Sequence, residues 1–314
     1  MMFENLKNLK IVYLGTPEIS AECLSFLLDG GANVVAVISN EDKPVGRKGL
    51  LSPTPVKAVA LDHNIPVFQP AKIKEDNAFL DELDFDIFLS MAYGQIIPEA
   101  VLSKARFGAF NLHGSLLPKY RGAAPIQRAI IDGESLTGVT LMAMVKKMDA
   151  GTMYAKKEVA IEESDNYTTL CKKIAKAAAS LALDSLLDVV NRLSEGEEQK
   201  EEEVTFAAKI LPEEEKLDFS LPIAKLLNKI RGLSFTPGGY CYLEGAKLKI
   251  FSAHIHSQET LGEIGEIVSD RKGLFVQAEG GVLSLDYLQL EGKKAMDGKS
   301  FVNGKQGLKG AFLS

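Results

Sequence analysis

Tryptophan is absent from the 314 residues, and histidine and cysteine are scarce, at four and three. Cys23, Cys171 and Cys241 lie far apart and form no C-x-x-C pair. That argues against a zinc ribbon or a disulfide framework and suits a reducing compartment. His254 and His256 share a strand face without a third ligand nearby, so no metal is expected. His63 reads as a surface or capping residue. No stretch approaches the about eighteen apolar residues of a membrane helix. The first ten residues lack the apolar core of a secretory signal and the Arg-rich pattern of a mitochondrial leader. A cytoplasmic location is the expectation.

Net positive charge is also lacking, since the formal balance is -6. The acidity is concentrated, however. Residues 195–203 hold six Glu and one Lys, whereas residues 292–314 hold five Lys and one Asp. A local basic tail is what RNA phosphates require, whatever the total. On composition alone both runs read as solvated faces.

What is present is an α/β pattern. Apolar runs predict strands at 10–14, 33–39, 65–68, 86–92, 108–113 and 138–144. Periodic stretches predict helices at 54–62, 77–83, 125–131 and 166–193. After the first strand, Thr16 suits an N-cap and Pro17 the first helical position. Ile19, Cys23, Phe26 and Leu27 then recur at helical spacing. A strand-helix-strand start argues an open, mainly parallel, Rossmann-like sheet with flanking helices. The Glu-rich segment from Ser194 reads as exposed surface. Beyond a helix at 221–231 the texture changes to short strands with Gly turns, at 240–243, 248–255, 265–269, 273–278 and 282–288. That predicts a small OB-like β-barrel. The expected domains are 1–206, a linker at 207–220, and 221–314.

The first βα turn has one glycine, Gly15, where a dinucleotide fingerprint needs three. The stretch at 46–49 lacks the Lys-Ser/Thr of a P-loop, so no nucleotide cofactor is expected. The informative run is N-L-H-G-S-L-L-P-K-Y-R-G from Asn111 to Gly122. It leaves a predicted strand at its carboxyl end, where open α/β sheets place ligands. Asn111 and His113 share a face, because strand side chains alternate. Asp149 sits on the turn after the next predicted strand, within reach of His113 if the strands are neighbours. Each residue alone has a plain structural reading. Together, without a Ser or Cys nucleophile, they suggest transfer to an external nucleophile.

The run N-L-H-G-S-L-L-P-K-Y-R-G-A-A-P-I-Q, followed by T-G-V-T-L and M-D-A-G, resembles the formyl-folate transferase family. The segments S-P-T-P-V-K and G-A-A-P-I-Q narrow the resemblance to members acting on tRNA, and Y-L-G-T-P-E, A-Y-G-Q-I-I-P and I-R-G-L-S-F-T-P-G-G-Y match in the longer context. The resemblance covers nearly the whole chain. It implies 10-formyltetrahydrofolate as donor, initiator methionyl-tRNA as acceptor through its acceptor stem, no metal, and a monomer. By that resemblance Asn111, His113 and Asp149 are the catalytic trio. Ser115, Leu116, Leu117 and Pro118, with Tyr93, Gly94, Gln95 and Ile96, line the folate pocket. Lys43, Arg47 and Lys48 of an inserted loop, with Gly15, Thr16, Pro17 and Ile19, meet the aminoacyl-tRNA. Ile19 stands where the family often has Phe, and Ser234 to Gly238 stands where it has N-P-W-P-G.

The implied chemistry is attack of a neutral amine on a formyl carbon. Asn111 and His113 are expected to donate to the developing oxyanion, with Asp149 orienting His113 and moving protons. An α-amino group titrates near ~8, so no strong base is required. The rivals are a transferase acting on a small amine (glycinamide ribonucleotide or an amino-sugar nucleotide), a formyl-folate hydrolase, and a non-catalytic folate- or RNA-binding module.

Overall fold

Ile11–Gly15 is an unbroken buried run and forms strand β1. A strand buried on both faces needs cover above and below, as in parallel sheets with crossover helices. The computed structural model, which describes residues 2–45, 49–269, 271–305 and 307–314, supplies that cover. Helix α1 (Glu18–Asp29) follows, then β2 (Val34–Ile38) and the antiparallel pair β3 (Lys43–Val45) and β4 (Leu50–Ser52). Next come α2 (Pro55–Asp62), β5 (Val67–Phe68), β6 (Ile87–Met91), α3 (Glu99–Leu102) and β7 (Ala109–His113). They are followed by α4 (Pro125–Asp132), β8 (Leu136–Ala143), β9 (Met153–Ala160) and α5 (Tyr167–Val190).

The seven-stranded sheet has the order β5-β2-β1-β6-β7-β8-β9. Pairs from β5 to β7 are parallel, while β8 and β9 are antiparallel. The chain winds outward from β1 to β5 and then returns to β6 beside β1. The carboxyl ends of β1 and β6 therefore flank a topological switch point, the usual ligand crevice of such sheets. β7 ends beside them.

Contacts divide the chain into two compact units. One comprises Met1–Gly122, Leu136–Ala160 and Cys171–Ala207; the other comprises Ala123–Ser135, Ile161–Leu170 and Ala208–Ser314. The second unit contains α4 and then α6 (Ile223–Leu233), β10 (Gly239–Leu243), β11 (Ala246–Ser257), β12 (Ile267–Ser269), β13 (Leu274–Ala278), β14 (Gly281–Leu290), β15 (Met296–Asp297) and α7 (Gly298–Gly304). Its sheet is antiparallel, in the order β10-β11-β14-β13-β12 with β15 on β14. On β10, Gly239, Cys241 and Leu243 are buried while Tyr240 and Tyr242 face outward. Such alternation marks a sheet with one wet face. Leu226 and Ile230, one helical turn apart on α6, pack into the core with Leu248 and Ile250. The result is a curled sheet of the OB-like type.

Local differences from the sequence reading have local causes. Thr16 is not the N-cap of α1. The Pro17 carbonyl accepts from the Ser20 and Ala21 amides at 3.0 and 3.1 Å, and the Thr16 hydroxyl donates to Tyr93 O at 2.9 Å. Residues 77–83 form a 3-10 turn (Ala78–Glu82) and not an α-helix. Within the inserted segment 41–54, β3 pairs antiparallel with β4, whose Leu50 and Leu51 are exposed. The sequence pattern predicts none of β9, α3 and α7. Strand β9 alternates half-buried and exposed residues and carries Lys and Glu, so its pattern reads as surface. Among the described residues no helix is long and apolar enough to cross a membrane.

Candidate active site at the mouth of β7

Asn111 and His113 sit on β7 between β6 and β8, with Ser90 paired to Asn111 and Thr140 to His113. They are two residues apart on one strand face, about 6–7 Å along the chain. The Asn111 side chain is half-buried, and no hydrogen bond is made by its carboxamide among the described residues. His113 is buried. Its Nε2 lies 2.9 Å from the Tyr120 carbonyl, and its Nδ1 lies 3.7 Å from Asp149 Oδ2. A carbonyl only accepts, so Nε2 carries a proton and donates it there. Nδ1 is the ring nitrogen that faces the Asp149 carboxylate.

β8 runs antiparallel to β7, so its end lies at the foot of β7 and not at its mouth. The loop at 144–152 carries Asp149 back towards His113. Asp149 adopts a left-handed φ of +52°, a conformation Asp tolerates at modest cost. Gly151 makes the return possible, since a Cβ there would sit 2.0 Å from the Ala143 carbonyl oxygen. The Gly122 amide donates to Asp149 Oδ2 at 2.9 Å. The segment 120–122 thus holds His113 by a carbonyl and Asp149 by an amide.

The expected folate residues behave unequally. Ser115 is fully buried, and its Oγ donates to Lys119 O at 2.6 Å. Thr140 Oγ1 donates to Ser115 O at 2.8 Å and accepts from the Leu117 amide at 3.0 Å. Leu117 is buried, and Leu116 packs over Gly138. The loop at 115–118 is therefore closed on itself, and its side-chain hydroxyl is used internally. Gln95 is also occupied, accepting from the Ile73 amide and donating to Asn40 Oδ1 and Pro70 O. By contrast Tyr93 Oη is buried without a partner, and burial pushes the phenol well above its ordinary pKa. Gly94 and Ile96 are exposed.

Two residues that pattern reading missed tie this mouth together. Asn40 Nδ2 and the Thr16 hydroxyl both donate to Tyr93 O, at 2.8 and 2.9 Å. Arg121 is the other, and its Nε donates to Gln199 Oε1 at 2.7 Å. Asn40 carries no motif signal, because an Asn after a strand is ordinary, whereas Arg121 lies within the run Asn111–Gly122 but its residue type alone names no partner. Gly15 is constrained by packing, since a Cβ would lie 1.8 Å from Ser20 Oγ. Ile19 is half-buried, Pro17 is exposed, and Lys43 is exposed on β3. Arg47 and Lys48 lie outside the described residues. Among the described residues no group of three His, Cys, Asp or Glu side chains can hold a metal.

Residues 9–186 match the model of the formyl transferase family, and residues 209–306 match that of its C-terminal domain. The chain belongs to the formyl transferase family. It is thus an enzyme of the one-carbon transferase class. A relative from Malacoplasma penetrans named methionyl-tRNA formyltransferase is 42% identical over 306 residues, covering 96% of each chain. One of the same name from Staphylococcus aureus is 38% identical, covering 95% of this chain and 97% of the relative. Among solved structures, the N-formyltransferase from Helicobacter canadensis, in complex with folinic acid and dTDP-3-aminofucose, aligns with a TM-score of 0.65 at 20% identity. It covers 88% of this chain and 98% of that one. HypX from Aquifex aeolicus in complex with tetrahydrofolic acid aligns with a TM-score of 0.70 at 17% identity, over 96% of this chain but 48% of HypX. At these identities the solved structures speak for the family's fold.

Proposed function

We propose that this chain transfers the formyl group of 10-formyltetrahydrofolate to the free amino group of methionyl-tRNA. The carrying observation is an uncommitted carboxamide, Asn111, beside a paired His113 and Asp149 at the mouth of β7 in a chain of this family. Its near full-length likeness to relatives named for that reaction favours tRNA over a small amine. An orphaned phenol at Tyr93 and the exposed Gly94 and Ile96 beside it fit a ligand rich in polar edges, as a folate is.

The donor supplies a formyl group already activated on nitrogen. Asn111 Nδ2 donates to the formyl oxygen as negative charge grows on it during attack by the amine. One such donor is worth about 10²–10³ in rate. The role expected for His113 shifts with its geometry. Both ring nitrogens face protein groups, so the ring serves as a proton holder next to Asp149 and not as a second oxyanion donor. From there it passes a proton towards the leaving nitrogen. The closed loop at 115–118 contributes backbone and shape. Lys43, Arg47 and Lys48 are assigned to RNA contact, and Gly15, Thr16, Pro17 and Ile19 to the aminoacyl end. Residues 1–206 are assigned to catalysis, 207–220 to a linker and 221–314 to holding the tRNA, in a cytoplasmic monomer.

The test is formylation of charged initiator tRNA, with charged elongator tRNA and glycinamide ribonucleotide as competitors, beside Asp149→Ala. Turnover on initiator methionyl-tRNA that collapses in the variant is the expected result. Turnover on the small amine with none on the tRNA overturns the reading.

A further inference from the structure

The acidic run reads from composition as solvated surface, and its side chains are largely exposed. Its bonding is directed inward all the same. Gln199 Nε2 donates to both Asp149 O and Gly151 O at 2.8 Å, the carbonyls on either side of the turn that presents the Asp149 carboxylate. Gln199 Oε1 accepts from Arg121 Nε at 2.7 Å. Arg121 is 2% exposed, and its Nη1 donates to Glu201 Oε1 at 3.0 Å while Nη2 is buried without a partner. Lys147, on the Asp149 loop, donates to both Glu201 oxygens at 3.1 Å. The backbone adds to this. The Arg121 amide donates to Thr205 O at 2.9 Å, and the Ala207 amide donates to Arg121 O at 2.7 Å.

From these contacts we infer that Gln199, backed by Arg121, is a positioning residue that sets the Asp149 carboxylate against His113. The inference rests on the proposed reaction for its kinetic readout. Asp149 is held at a left-handed φ by two carbonyl anchors from Gln199 and one amide anchor from Gly122. Arg121 is the joint between them. Its side chain orients the Gln199 carboxamide, and its neighbours on either side bind His113 and Asp149. Burying a guanidinium is costly unless it is paired, so Gln199 and Glu201 in turn hold Arg121. A misplacement of about 1 Å at a reacting geometry can cost about 10² in rate.

Gln199→Glu discriminates this role from simple filling. It keeps the shape and still accepts from Arg121, but it cannot donate to either carbonyl. Expected are a kcat about 10²-fold lower, KM values for both substrates within about threefold, and a changed pH profile. In an Asp149→Ala background the same change should alter kcat by less than about twofold, since it acts through Asp149. A second readout uses no substrate: the ¹⁵N resonances of the His113 ring should move in Gln199→Glu relative to the wild type. A kcat within about twofold of wild type with unmoved His113 resonances overturns the inference, as does a loss confined to KM. Wild-type protein that formylates nothing while the His113 resonances move sinks the proposed reaction and leaves the positioning role standing.

Discussion

The loop at 115–118 and the run at 195–203 are opposites in sequence and exchange roles in structure. The first carries the residues most suggestive of a ligand, yet its hydroxyl and much of its apolar surface close the loop upon itself. The second is a string of glutamates, yet its Gln199 and Glu201 restrain the turn that bears Asp149. Composition reports how much of a segment meets water. It does not report where its hydrogen bonds go, and at a strand mouth those bonds decide geometry.

The largest effect that sharpens this contrast is at the end of the chain of contacts. Asp149→Asn keeps the Gly122 contact but removes the charge facing His113, and kcat for formylation should fall by about 10²–10⁴. Steady-state kinetics at several pH values checks this. The other loop should respond differently. Ser115→Ala loses one buried hydrogen bond, so stability should drop by about 1 kcal/mol in urea denaturation, with kcat nearly unchanged. A raised KM for the formyl donor with unaltered stability would return Ser115 to a ligand-facing role.

Glutamates in the second unit extend the comparison. Glu214 is held at a pKa of about 2, first by the Arg128 guanidinium and then by the Leu211 amide. A depressed carboxylate stabilises the fold above its unfolded value, here 4.5, and that contribution is lost as pH falls towards 2. Glu214→Gln should therefore flatten the acid side of the stability profile between those limits. Because Glu214 is partly exposed, the effect at neutral pH should stay below about 1 kcal/mol. Thermal melts from pH 7 down to pH 2 test the sign. Least of all should Glu202→Gln matter, since no hydrogen bond or ion pair is made by Glu202 among the described residues. Its stability shift should lie within about 0.5 kcal/mol.

Much of the fold was legible because burial writes directly into sequence. The apolar run Ile11–Leu14 of β1 and the alternation of β10 each announce their environment. β9 was illegible because an edge strand with charged residues resembles a loop, and the cap of α1 because Thr16 bonds across the sheet mouth to Tyr93. For the site, a strand period of two sufficed to put Asn111 and His113 on one face. The return of Asp149 was reachable only conditionally, since the antiparallel turn of β8 is invisible in its own pattern. The occupation of His113 Nε2 by Tyr120 O depends on a loop conformation that no local propensity encodes.

The hydrogen bond proposed for Asn111 matters only as the formyl oxygen becomes negative. It is tested most directly by the single-turnover rate of formyl transfer in Asn111→Ala, with enzyme, donor and methionyl-tRNA preassembled. A rate about 10²–10³ lower, with little change in tRNA binding, is expected. A rate equal to that of the wild type would contradict it.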